Sequence, residues 1–138
     1  MNFKDFKTWF YNYKWMEFIL SSVFTVIIAI IAYNHDLNWL GPFAAIGLIT
    51  IGYISENKLV SIIMGGIGAL PIAIAINLKI LGPITININY YEFILLVYVI
   101  VFIMGGVVGF IGNLVYNNRL KVIKEKNSIG KKKKKKSK

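Results

Sequence analysis

Leu59-Val60-Ser61-Ile62-Ile63-Met64-Gly65-Gly66-Ile67-Gly68-Ala69-Leu70-Pro71-Ile72-Ala73-Ile74-Ala75-Ile76-Asn77-Leu78 decides the fold, because it runs uncharged from Lys58 to Lys79. A helix rises about 1.5 Å per residue, so a stretch of this length matches a hydrocarbon core of roughly 30 Å. In lipid it must be helical, since hydrocarbon offers no partner to an unpaired backbone N–H or C=O. Ser61, Gly65, Ala69, Ala73 and Asn77 recur at every fourth position and so share one face. Lipid tails are as apolar as leucine, so helices in a bilayer associate through close approach at small residues. The stripe therefore predicts a helix–helix contact. Pro71 lies near the middle and predicts a kink, because it removes one backbone hydrogen bond.

Working outward, three more uncharged windows appear, and the four together predict spans at about 18–35, 39–55, 59–79 and 93–116. In the first, ten large apolar residues from Phe18 to Ile31 each favour insertion by roughly 0.3–0.6 kcal/mol. A cleaved leader is the rival reading of this window. Its apolar run ends in Ile30-Ile31-Ala32-Tyr33-Asn34, without the small-residue pattern that cleavage requires. The second window contains Gly41-Pro42 near its start and is diluted by small and polar residues, so a re-entrant hairpin is its alternative. Small residues recur in every window: Ser22, Thr25, Ala29 and Ala32; Gly41, Ala45, Gly52 and Ser55; and Gly105, Gly109 and Gly112. The fold class expected is an all-α membrane protein, a small bundle of four transmembrane helices. Its proposed contact residues are Ser61, Gly65, Ala69, Ala73, Gly105, Gly109 and Gly112. They serve packing within one bundle, or between copies.

Charge sets orientation. The chain of 138 residues is 57% hydrophobic and carries sixteen Lys and Arg against six Asp and Glu, and eleven of the sixteen cations lie from Arg119 onward. With the N-terminus inside, Lys4, Lys7, Lys14, Lys58 and the tail are cytoplasmic and Lys79 alone is outside. Four spans put both termini on the cytoplasmic side of the cell membrane. Residues 119–138 predict a disordered lysine-rich tail, because like charges repel and nothing there builds a core. Its Lys131, Lys132, Lys133, Lys134, Lys135 and Lys136 are the candidate contacts to anionic lipid headgroups, at roughly 1 kcal/mol each near a charged leaflet. The same charge attracts nucleic acid, but no aromatic or motif makes that specific.

The flanking segments are less decisive. Residues 1–17 hold Phe3, Phe6, Trp9, Phe10 and Tyr13 among Lys4, Lys7 and Lys14. They form either an amphipathic helix at headgroup level or an aromatic belt before the first span. Residues 83–90 alternate apolar and polar, which reads as a short strand paired between copies or as an extended outer loop. A faint echo relates Leu40-Gly41-Pro42 with Ile63-Met64-Gly65-Gly66 to Leu81-Gly82-Pro83 with Ile103-Met104-Gly105-Gly106. Duplication of a helical hairpin and coincidence both account for it.

Chemistry is hard to find in these residues. Cysteine is absent, which excludes disulfides, thiolate metal sites and thiol nucleophiles. No acid, base or nucleophile pair lies inside the windows, where proton relays need one. His35 beside Asp36 reads as a solvated turn rather than a metal site, and Glu17 either as a partner of Lys14 or as a group facing headgroup water. No catalytic, cofactor-binding or metal-binding residue is expected, and no enzyme activity.

With Leu40-Gly41-Pro42, Gly47, Gly52-Tyr53, Gly65-Gly66 and Gly105-Gly106-x-x-Gly109, residues 40–116 resemble small glycine-rich archaeal membrane proteins of uncharacterised function. That resemblance implies a membrane fold and no activity. Two function classes follow from the residues. One is a structural or interaction component that assembles with itself or in a larger membrane complex. The other is a holin-like or channel-like pore former, for which Thr25, Ser61, Asn77 and Asn113 are the wettable candidates.

Overall fold

The computed structural model describes residues 13–55, 57–80 and 89–136, with side chains left aside at Asn38 and from Asn127 onward. The aromatic segment before Tyr13, the alternating stretch before Asn89 and the side chains of the six consecutive lysines lie outside the described residues. The elements are α1 (Trp15–Asn34), a 3₁₀ turn (Asn38–Leu40), α2 (Gly41–Ile54), α3 (Lys58–Asn77) and α4 (Tyr90–Lys136). Three of them, α1, α3 and α4, are long and apolar enough to cross a membrane. At 14 residues α2 is about 21 Å long. The 3₁₀ turn before it adds about 6 Å, which brings the pair near the length of α1.

Local chemistry explains where the helices begin and stop. Pro42 occupies the first turn of α2, where its missing N–H costs nothing. Asn57 caps α3 by accepting the Leu59 N–H at 3.0 Å. At the far ends α1 and α3 stop alike. The Leu37 N–H reaches the Ala32 carbonyl and Asp36 reaches Tyr33, just as Ile80 reaches Ala75 and Lys79 reaches Ile76. Both are Schellman caps, and in each the residue in the left-handed region, Asp36 at φ 53° or Lys79 at φ 57°, is not glycine.

The helices run alternately up and down. Gly47 of α2 lies on Ser21 and Thr25 of α1, while Tyr13 touches Ser55. Ser61 of α3 faces Gly109 of α4, and Ala69 faces Gly105. Tyr13, Ser55, Lys58 and Arg119 thus gather at one end of the bundle, and Asp36 and Lys79 lie at the other. Lys14 and Glu17 form an exposed ion pair of 3.6 Å at the first end.

Around a small apolar cluster of Leu48, Ile51 and Met64, the interior is rich in small and hydroxyl-bearing residues. Ser22, Thr25, Ser61, Ala69, Ala73 and Asn113 are buried, whereas Leu20, Ile27, Leu95, Val99, Ile103 and Val107 are exposed. In water such a surface would far exceed the few hundred Å² of contiguous apolar patch that monomers carry. Small residues inside and large aliphatic ones outside is the arrangement that lipid solvation favours.

Pro71 lies inside α3, which continues through it. Across the interface between α1 and α3 the Ser22 hydroxyl donates to the Gly68 carbonyl at 2.8 Å. Composition predicts disorder from Arg119, but the backbone of α4 is helical to Lys136. Nucleation explains the difference. The preceding turns already provide a helix end, and adding lysine, glutamate and leucine to it is easy.

Candidate functional site

The contact surface on α4 is tightly constrained. A Cβ built on Gly65 would lie 2.5 Å from the Gly105 carbonyl oxygen and 2.9 Å from the Gly109 α-carbon. One on Gly105 would meet the Ala69 Cβ at 2.5 Å, and one on Gly109 would overlap the Ser61 carbonyl oxygen. These spaces are below any real Cβ contact, so only glycine allows the two backbones this approach. Gly112 turns elsewhere: its missing Cβ would sit 2.9 Å from the Tyr53 backbone nitrogen on α2. Gly52 closes the set, because a Cβ there would lie 2.8 Å from the Gly109 α-carbon. The proposed contact residues of α4 therefore divide between two neighbours, with Gly105 and Gly109 on α3, and Gly109 and Gly112 on α2. Ala73 is fully buried within α3. Lys131 to Lys136 lie on the helical end of α4.

Continuing the Gly105-Gly109 step by four residues reaches Asn113, which is 0% exposed. Its Oδ1 accepts from the Asn117 amide at 2.9 Å, and its own Nδ2 has no partner among the described residues. Turning the amide over would leave the oxygen unpaired instead, so among the described residues one end of this buried group has no match. The four-residue rhythm of the stripe is the sequence signal for this position, read there only as a wettable candidate.

Polar contacts gather at the same end of the bundle. The Tyr13 hydroxyl and Ser55 hydroxyl share a hydrogen bond of 3.0 Å, and Ser55 donates to the Ile51 carbonyl at 2.6 Å. Burial pushes the Tyr13 phenol above its ordinary value, the Ser55 bond partly opposes this, and Glu17 adds to it. Tyr13 packs edge-on against Trp15 and Phe18. Arg119 donates to the Tyr53 hydroxyl at 2.6 Å, beside an edge-to-face pair of Tyr53 and Tyr116. Ser61 and Thr25 spend their hydroxyls on the Lys58 and Ser21 carbonyls of their own helices. Among the described residues no three His, Asp or Glu side chains gather as metal ligands.

What this surface can do is join helices. Its glycines let backbone meet backbone, and its hydroxyls are engaged close to home. Comparison of the chain with protein-family models, curated proteins and solved structures gives no match.

Proposed function

We propose that the chain crosses the cell membrane four times and acts as a structural or interaction component, assembling with itself or within a larger membrane complex. Both termini face the cytoplasm in this reading, and the lysine-rich end of α4 offers charge to anionic headgroups there. The observation that carries the reading is the three-way glycine contact of α4 with α2 and α3, which fixes a rigid bundle. The gathering of Lys14, Lys58 and Arg119 at one end agrees with the excess of cations on the cytoplasmic side. The near-equal lengths of α1 and of α2 with its 3₁₀ turn support a crossing by the second helix.

The pore-forming alternative requires a wettable face shared between copies. Of the four wettable candidates, Thr25, Ser61 and Asn113 are each 0% exposed within a single bundle and Asn77, at the end of α3, is half-buried, which favours the structural reading. Dye-release and ion-flux measurements on liposomes containing the inserted protein test it. Tight vesicles are expected. Leakage that scales with inserted protein would replace the structural role with a permeability one.

A further inference from the structure

The last helix outruns the bundle. Its uncharged run stops at Asn118, and Arg119 still bonds Tyr53 of α2. From Lys121 to Lys126 every residue is exposed, and six consecutive positions go all the way round a helix of about 3.6 residues per turn. The helix has therefore left its neighbours by this point, yet its backbone continues unbroken to Lys136. At about 1.5 Å per residue, Lys131 stands about 18 Å and Lys136 about 26 Å beyond Arg119 along the axis.

In the membrane-crossing reading above, the edge of the hydrocarbon lies near Arg119, and height then decides what the lysines meet. The polar layer of a leaflet is roughly 5–8 Å deep, and its charge is screened within about 8 Å more at physiological salt. Both together fall short of Lys131, and a tilt of about 20° lowers the helix by only about 6%. Arg119, Lys121 and Lys124, spread over about 8 Å of the axis, keep the contact with headgroups. The six consecutive lysines stand clear of it. They also occupy every side of the helix, whereas a flat leaflet touches one side.

We propose that the free end of α4 is a sequence-independent anchor for duplex DNA, held off the cytoplasmic leaflet; this rests on the membrane-crossing reading. The major groove of B-DNA is about 12 Å wide and admits an α-helix, with a phosphate rail on either side. A helix charged all round serves both rails, and the duplex offers one negative charge per about 1.7 Å of its axis. Residues 131–138 contain only lysine and serine. They bring no aromatic platform for single-stranded bases and no apolar anchor of the kind that carries protein interfaces. The major groove of duplex RNA is too narrow to be read in this way. Distance matters as well, because DNA and an anionic leaflet repel one another and the projecting helix separates them by about two screening lengths.

The test uses the full chain in nanodiscs of pure phosphatidylcholine, titrated with a short fluorescent DNA duplex of arbitrary sequence. Binding is expected, and between about 50 and 200 mM salt the affinity should fall about 10³-fold, the dependence of six phosphate contacts. Lys131→Gln, Lys132→Gln, Lys133→Gln, Lys134→Gln, Lys135→Gln and Lys136→Gln combined keep the helix propensity and should remove most of the binding and of its salt dependence. Adding phosphatidylserine should change wild-type affinity less than about threefold at about 150 mM salt. It should abolish binding by Asn127→Pro, whose broken helix lets the lysines fall onto the leaflet. Wild-type binding lost on the anionic discs would place the lysines on lipid and overturn the anchor. Equal binding of duplex RNA, or of polyglutamate at matched charge, would overturn DNA as the partner. Resistance to alkaline carbonate extraction is measured in parallel. Protein retained in the membrane that binds no DNA removes the anchor alone, whereas protein released by carbonate removes the membrane reading beneath it.

Discussion

Gly65 of α3 and Gly109 of α4 meet backbone to backbone, with 2.9 Å between the place a Cβ would occupy on the first and the α-carbon of the second. Two helices held this closely gain dispersion contact along their whole shared face, which is the main attraction available between helices in lipid. The same closeness leaves no slack. Gly109→Ala places a methyl on the Ser61 carbonyl, and overpacking of this kind costs about 1–3 kcal/mol. The better helix propensity of alanine returns up to about 1 kcal/mol. A net loss of stability is expected in detergent-based thermal unfolding, larger for Gly109→Leu. Gly41→Ala is the control, since nothing lies within 4 Å of its added methyl, and its unfolding temperature should hold or rise slightly.

The matched caps give a second prediction. Lys79 and Asp36 both adopt positive φ, a conformation that costs an ordinary side chain about 1–2 kcal/mol and an aspartate less. Lys79→Gly should therefore stabilise the bundle by about 1 kcal/mol, and Asp36→Gly by less. Chemical denaturation of both variants beside the wild type checks the order. Equal effects, or destabilisation by both, would mean that these turns are not limited by backbone strain.

These caps also show what sequence made legible and what it did not. The uncharged run from Leu59 to Leu78 announces a helix because charge and hydropathy act over its whole length, and α3 follows it to within a residue or two. Its stop is silent, since the residue at the left-handed position is lysine and no glycine marks it. The four-residue rhythm of Gly105 and Gly109 is legible as a contact face. Which neighbour each glycine meets depends on the register of α2 against α4, and nothing local encodes that. Asn113 continues the rhythm, yet only three-dimensional packing reveals a buried amide without a full set of partners. The basic tail misleads in the opposite direction, because repulsion among lysines is visible in composition while the helix already formed before Arg119 is not.

Tyr13 and Ser55 close the basic end of the bundle, and their bond yields a pH dependence. Burial holds the Tyr13 phenol above its ordinary value of 10.0, so the folded chain keeps that proton when the unfolded chain releases it. Stability from this group is complete below pH 10 and falls as pH rises beyond it. Tyr13→Phe should cost about 0.5–1.5 kcal/mol at neutral pH through the lost hydrogen bond. The gap between wild type and variant should then narrow as pH is raised above 10. A gap that stays constant would show that Tyr13 ionises as freely in the fold as outside it.

Asn113 supplies a prediction with the opposite sign. Leaving one end of a buried amide unpaired costs about 1–3 kcal/mol, and an apolar side chain of similar size avoids that cost. Asn113→Leu is expected to raise the unfolding temperature in detergent, while Asn117→Leu, which removes the partner of the Asn113 Oδ1, should lower it. If Asn113→Leu is instead as destabilising as a core truncation, the amide is satisfied by something within the bundle, and an internal water becomes the thing to look for.

Topology can be read directly, because a chain without cysteine permits single-cysteine variants at will. His35, Lys58, Lys79 and Asn118 are all exposed and stand just beyond the helix ends or at the edge of the apolar part. Labelling of intact cells with a membrane-impermeant maleimide should modify His35→Cys and Lys79→Cys, whereas Lys58→Cys and Asn118→Cys should react only after the membrane is opened. The pair that matters most is His35 and Lys58, which flank α2. If both react from the same side, the second helix enters and leaves by one face. Asn118 must then lie opposite Lys14, since three crossings separate them, and eleven cations would sit outside against the charge bias of membrane insertion.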